Sequence, residues 1–230
     1  RAHPLWPIKE VELMRTLITG ANRGVGAALR EAGIVAGHDV LATARMLGRG
    51  GENWLPLDQS SPPTARALAA ALMGQPLDLL VLNAGVYLDK GHSIDKGFAP
   101  ELWSETFAVN VTGMFLVAQA LLPNLRAAGG KIAIISSQMG SSERASGGGY
   151  IYRASKAAAI SLGRNLAVDL APEGIAVGIY HPGWVRTEMG GSAADIDAQT
   201  AAVGLWERFE ALSLETTGVF EAYDGAPIPF

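Results

Sequence analysis

The chain has 230 residues, with 28 glycines, no cysteine, four histidines and a formal net charge of −4. The missing cysteines exclude disulfides, Cys-ligated zinc, iron–sulfur clusters and thiol nucleophiles, and the scattered histidines make a metal site unexpected. A mildly acidic balance argues against a duplex nucleic-acid binder, and a 49% hydrophobic composition argues for a folded chain.

The first 13 residues carry two prolines and no clear period, and they run into Met14-Arg15-Thr16-Leu17-Ile18, which reads as a natural start followed by a buried strand. Residues 1–13 are therefore expected to be a leader, either upstream of that start or an arm on the surface, and residues 14–230 a single domain. The leader lacks the apolar core of a secretory signal. No uninterrupted apolar run approaches the ~18 residues of a membrane span. The expected location is the cytoplasm, with no membrane partner.

Apolar runs at 15–19, 39–44, 55–57, 79–82, 131–136 and 176–180, with another near Val219, read as strands. Helical periodicity covers 25–36, 63–73, 101–127, 152–171 and, more weakly, 196–212. Such alternation signals βαβ units. The strands are continuous apolar runs, as expected when both sheet faces are covered. The fold class is α/β: three layers, with a doubly wound parallel sheet of about seven strands between two layers of helices.

Thr19-Gly20-Ala21-Asn22-Arg23-Gly24-Val25-Gly26 follows the first strand and opens the first helix, the context that a glycine fingerprint requires. Gly20 would allow a tight turn, Gly24 a close approach of backbone to a pyrophosphate, and Gly26 close packing of helix on strand. The helix amino terminus offers free N–H groups and partial positive charge to phosphates. A plain strand–helix turn is the alternative.

The motif order resembles that of the short-chain dehydrogenase/reductase family, whose members carry a Rossmann-type sheet. The glycine loop is followed by Leu57-Asp58, Leu82-Asn83-Ala84-Gly85, Val109-Asn110-Val111-Thr112-Gly113, Ile135-Ser136-Ser137, Tyr152-Arg153-Ala154-Ser155-Lys156 and His181-Pro182-Gly183-Trp184-Val185-Arg186-Thr187. Leu82 stands where the family usually has a first Asn. The last two segments look most like the C-factor-like and carbonyl-reductase-like branch. The resemblance implies reduction of a small carbonyl compound, or oxidation of an alcohol, by hydride transfer with a nicotinamide cofactor. An NADP-binding signalling or regulatory protein with incidental turnover is the alternative. It also implies that Asp58 binds the adenine edge, that Asn83, Ala84 and Gly85 line the cofactor groove, and that Thr187 binds the nicotinamide carboxamide. Asn22, Val25, Pro182, Gly183 and Val185 complete the expected cofactor site. A homodimer or homotetramer, paired through the helices at 101–127 and 152–171, is expected by the same analogy.

An NAD site usually has a carboxylate at the end of the second strand, for the ribose 2′-hydroxyl. Here that strand ends in Ala44-Arg45, and Asp39 lies at its opposite end. Arg45 and Arg23 are suited to a 2′-phosphate instead, so NADP(H) is expected over NAD(H).

Tyr152 and Lys156 stand four apart in a helical segment, which puts their β-carbons about 6 Å apart on one face. A neighbouring ammonium is expected to lower the phenol's pKa so that the pair can exchange a proton with a carbonyl oxygen. Lys156 is also expected to bind the nicotinamide ribose, as the resemblance implies. Ser137 is expected to orient the substrate oxygen, with Ser136 as the competing assignment. Asn110 is expected to hold a water and an irregular backbone inside its helix, as a relay from Lys156 to solvent. His181 reads as structural. Trp184, Met189 and Trp206 are candidates for an apolar wall, with Trp206 better suited to the core. Gly190-Gly191-Ser192-Ala193-Ala194 has the composition of a closing loop.

Overall fold

The computed structural model describes residues 13–46, 51 and 53–230. Apart from Leu13, the expected leader lies outside the described residues. The strands are β1 (Arg15–Ile18), β2 (Asp39–Ala44), β3 (Trp54–Pro56), β4 (Leu79–Leu82), β5 (Lys131–Ile135), β6 (Ala176–His181) and β7 (Phe220–Ala222). The principal helices are α1 (Gly24–Val35), α2 (Pro62–Ala71), α3 (Pro100–Phe107), α4 (Met114–Ala128), α5 (Tyr150–Leu170) and α6 (Ala198–Ala211).

All seven strands run parallel in the order β3-β2-β1-β4-β5-β6-β7. The order reverses between β1 and β4, and a crevice opens there beyond the strand carboxyl ends, where ligands of open α/β sheets bind. Successive residues on a strand point to opposite faces, which divides the core in two. Leu17, Leu80, Leu82 and Ile132 pack with Leu68 of α2, with Val117 and Leu121 of α4, and with Ala159 of α5. Ile18, Val40, Leu79 and Val81 pack with Leu29 of α1 and with Leu205, Trp206 and Phe209 of α6. The layers and the doubly wound sheet are those expected from the alternation of apolar runs.

The long helix at 101–127 is not one regular helix. Ala108–Gly113 form a π turn between α3 and α4. Gly113 makes that turn possible, because a β-carbon there would lie 1.8 Å from the Gln59 carbonyl oxygen. Together 100–128 form a run of 29 residues with a mean hydropathy of 1.5 over its most apolar window, long and apolar enough to cross a membrane. Counting uninterrupted apolar runs misses this, because Asn110, Thr112, Gln119 and Asn124 break the sequence. Here the run serves as a core helix, with Met114, Val117, Leu121 and Leu125 against the sheet.

Trp206 belongs to the core rather than to a substrate wall. Its indole N–H donates to the Leu29 carbonyl at 2.9 Å and its ring stacks on His38 at 4.5 Å. Gly33 leaves the space that the indole occupies: a β-carbon there would come within 2.4 Å of the ring.

Candidate active site

The glycine loop is held at the sheet's reversal point by contacts between distant residues. The Thr19 hydroxyl accepts from the backbone N–H groups of Asn83 and Ala84, each at 3.0 Å. The Asn83 carboxamide donates back to the carbonyls of Thr19 and Gly20, at 2.9 and 3.2 Å. Gly20 and Gly24 take φ of +64° and +55°, backbone that side chains rarely adopt. A β-carbon on Gly26 would meet the Gly20 carbonyl oxygen at 2.3 Å. No side chain caps the start of α1. Its first N–H groups open on a cleft of about 860 Å³, so the end of α1 can take a phosphate.

That cleft brings together most of the residues singled out in the sequence. Gly20, Asn22, Arg23, Gly24, Val25 and Gly26 line it at α1, and Arg45 and Asp58 beyond β2 and β3. Asn83, Ala84 and Gly85 line it after β4, and Tyr152, Lys156, Pro182 and Thr187 at the far end. Arg23 pairs with Glu188 across the mouth. Lys90 Nζ donates to the Met189 carbonyl at 2.9 Å, so residues 188 and 189 are tied to both sides of the opening.

Gly183 and Val185 are not brought into the wall. Val185 is buried and bridges to Ile196, and a β-carbon on Gly183 would strike Ile196 Cδ1 at 2.7 Å. Both residues shape the turn from behind. Trp184 also stays outside the wall, its indole N–H given to the Gly190 carbonyl at 3.0 Å, whereas Met189 lines it. Within the loop read as a lid, the Gly190 and Gly191 N–H groups are held by Thr187.

At the far end, α5 presents Tyr152 and Lys156 one turn apart, both buried. Lys156 Nζ lies 5.6 Å from the centre of the Tyr152 ring and donates to the Ile135 carbonyl at 2.9 Å. The two serines are told apart by their partners. Ser136 donates its hydroxyl to the Lys156 carbonyl at 3.0 Å, whereas the Ser137 side chain acts on the Tyr152 phenol and favours its phenolate.

The expectation of a lowered phenol pKa is overturned. Burial pushes Tyr152 up to about 12, outweighing the influence of the Ser137 side chain, which favours the phenolate. Burial also brings Lys156 down to about 8, which weakens the cation that was to do the lowering. His181, buried behind the site on β6, is held down to about 4 by desolvation and by the cations Arg144 and Lys156, a neutral structural histidine.

Asn110 lies one layer behind the cleft, inside the π turn. Its Oδ1 accepts from the Val86 N–H at 2.8 Å, and its Nδ2 donates to the Val86 carbonyl at 2.9 Å and to the Ser155 hydroxyl at 3.0 Å. The carboxamide is thus engaged in holding the loop after β4 against α5. The irregular backbone is stabilised by Gln59, whose Nε2 donates to the Val109 and Ala84 carbonyls at 2.9 and 3.0 Å. The sequence reading missed Gln59, Tyr87 and Asp89. Gln59 and Tyr87 line the cleft, and the Tyr87 ring stacks on Tyr152 with centroids 4.3 Å apart. Only their closeness to Asp58 and to Asn83-Ala84-Gly85 hinted at such a place.

The model of the short chain dehydrogenase family matches residues 15–197. The chain belongs to the short-chain dehydrogenase/reductase family. Among curated relatives of this short-chain dehydrogenase, C-signal of Myxococcus xanthus is 37% identical over 167 residues, 72% of this chain and 99% of that protein. Among solved structures, the carbonyl reductase Sniffer of D. melanogaster superposes with a TM-score of 0.88 at 30% identity, covering 95% of this chain and 100% of Sniffer. The NADPH-bound carbonyl reductase from chicken fatty liver gives 0.86 at 29% identity, with the same coverage. These likenesses place the chain in the C-factor and carbonyl-reductase branch of an oxidoreductase family.

Proposed function

We propose that this short-chain dehydrogenase uses NADPH to reduce an aldehyde or ketone carbonyl to an alcohol. The observation that carries the reading is the buried Tyr152–Lys156 pair, 5.6 Å from ammonium to ring centre, at the end of a cleft whose other end is an uncapped helix amino terminus. Likeness to carbonyl reductases, one of them NADPH-bound, supports it.

Bound at the cleft, the cofactor would supply hydride to the carbonyl carbon. The chain's own residues handle position and proton. Ser137 orients the carbonyl oxygen, and the Tyr152 hydroxyl gives its proton to that oxygen as it gains charge. A phenol with a pKa near 12 keeps its proton at neutral pH, which suits reduction rather than oxidation. Lys156, as a cation, stabilises the phenolate that forms. The backbone N–H groups at α1 hold the pyrophosphate, and Arg45 with Arg23 takes the 2′-phosphate.

The test is NADPH oxidation with a panel of aliphatic and aromatic aldehydes, ketones and diketones. At least one member is expected to be reduced. For that carbonyl, kcat/KM is expected to stay level from about pH 6 to pH 7.5 and to fall above the Lys156 value of about 8, as the ammonium is lost. A profile level through pH 9 would remove the charged Lys156 from the reaction.

The 37% identity with C-signal favours a second reading, an NADP-binding signalling protein with incidental turnover. A cellular phenotype that survives loss of the Tyr152 hydroxyl would support it.

A further inference from the structure

The Asp89 carboxylate is fully buried, at 0% exposure, and forms no ion pair with a cation among the described residues. A carboxylate in that setting needs compensating donors. It has two: the backbone N–H groups of Ile151, to Oδ2 at 2.9 Å, and of Tyr152, to Oδ1 at 3.1 Å. These are free N–H groups of the first turn of α5, where a negative group is favoured by the helix dipole. The residue at the N-cap position, Gly149, provides no side-chain cap. It cannot carry one either, since a β-carbon there would lie 2.6 Å from the Tyr87 hydroxyl oxygen. The cap of this helix therefore comes from a loop 62 residues earlier in the chain.

That loop grips Tyr152 twice, by Asp89 at its N–H and by the Tyr87 ring stacked on its own. The loop is itself anchored by Asn110 at Val86. We infer that Asp89 is a positioning residue, which sets the Tyr152 hydroxyl against Ser137 and the substrate carbonyl. The inference rests on the reading of Tyr152 as proton donor. Its own element of proof is the first turn of α5, which can be observed without turnover.

Asp89→Ala removes both acceptors, and Asp89→Asn keeps one oxygen. With the panel carbonyl that wild-type protein reduces fastest, and with rates expressed per NADPH-binding site, Asp89→Ala is expected to lower kcat about 30-fold. Misplacement of a reacting group by ~1 Å costs losses of that order. Asp89→Asn should recover part of the rate, and the KM for NADPH should stay within about twofold in both variants, because the α1 end of the cleft is untouched. Amide hydrogen exchange should quicken at residues 150–153 in Asp89→Ala and stay unchanged over 157–168. A kcat per site within twofold of wild type, or faster exchange spread evenly along α5, would overturn the inference. If Asp89→Ala does not fold, Asp89→Asn decides alone: reduced kcat at unchanged NADPH KM supports the assignment, and unchanged kcat refutes it. Failure of the functional reading would look different. Wild-type protein would then reduce no carbonyl of the panel, while the exchange comparison would still report whether Asp89 holds Tyr152.

Discussion

Tyr152→Phe is expected to lower carbonyl reduction by about 10³-fold, within the range for loss of a general acid, with NADPH affinity within about twofold of wild type. The variant removes little else. The ring stack on Tyr87 and the backbone N–H bond to Asp89 do not involve the hydroxyl. Ser137 keeps its role at the start of the short helix Gln138–Gly140, accepting from the Met139 N–H at 3.1 Å. The lost group is a buried hydroxyl beside Lys156. Steady-state rates with the fastest panel carbonyl, together with NADPH fluorescence titration, make the measurement. Retention of more than a tenth of wild-type kcat would assign the proton to another group and sink the mechanism. Loss of turnover with an intact cellular phenotype would favour the signalling reading.

The second large effect concerns the cofactor. Reversing charge at both arginines, Arg23→Glu with Arg45→Glu, is expected to weaken NADPH about a hundredfold while changing NADH by less than about threefold. Two charge-assisted contacts at ~1.5–3 kcal/mol each give a loss of at least that size. Arg45 follows the last residue of β2 and lines the cleft, and no acid takes its place at that strand end. Arg23 pairs with Glu188, but the two side chains are 58% and 80% exposed. A pair so exposed contributes little, so it does not prevent the guanidinium from turning to a phosphate. Dissociation constants for both dinucleotides decide the matter, and equal losses would overturn the preference for NADP(H).

The legible parts of this protein were those governed by local rules. Burial on both faces makes a strand a continuous apolar run, so β1, β2, β4, β5 and β6 could be placed within a residue or two. Arg23 and Arg45 were legible from the glycine loop and the acid-free end of β2, and Asp58 and Asn83 from the family resemblance; all four line the cleft at the sheet's reversal point. The irregular middle of the long helix was less legible. Its π turn depends on the Gln59 carbonyl lying where a side chain on Gly113 would be, and on Gln59 Nε2 bonding the Val109 carbonyl, contacts made across about 50 residues.

By itself the sequence determined the order of elements, the glycine loop and the Tyr152–Lys156 pair, since each depends on spacing along a single strand, turn or helix. Only the tertiary structure decided that Ser136 is held by the Lys156 carbonyl, and that Asn110 braces a loop. It also decided that Val185 and Gly183 stay behind the wall, and that Asp89 caps α5. These outcomes rest on which atoms meet across the fold. The direction of the Tyr152 shift has the same origin: the spacing of charges along a helix is local, but burial is a property of everything packed around it, and here desolvation outweighs the nearby donor.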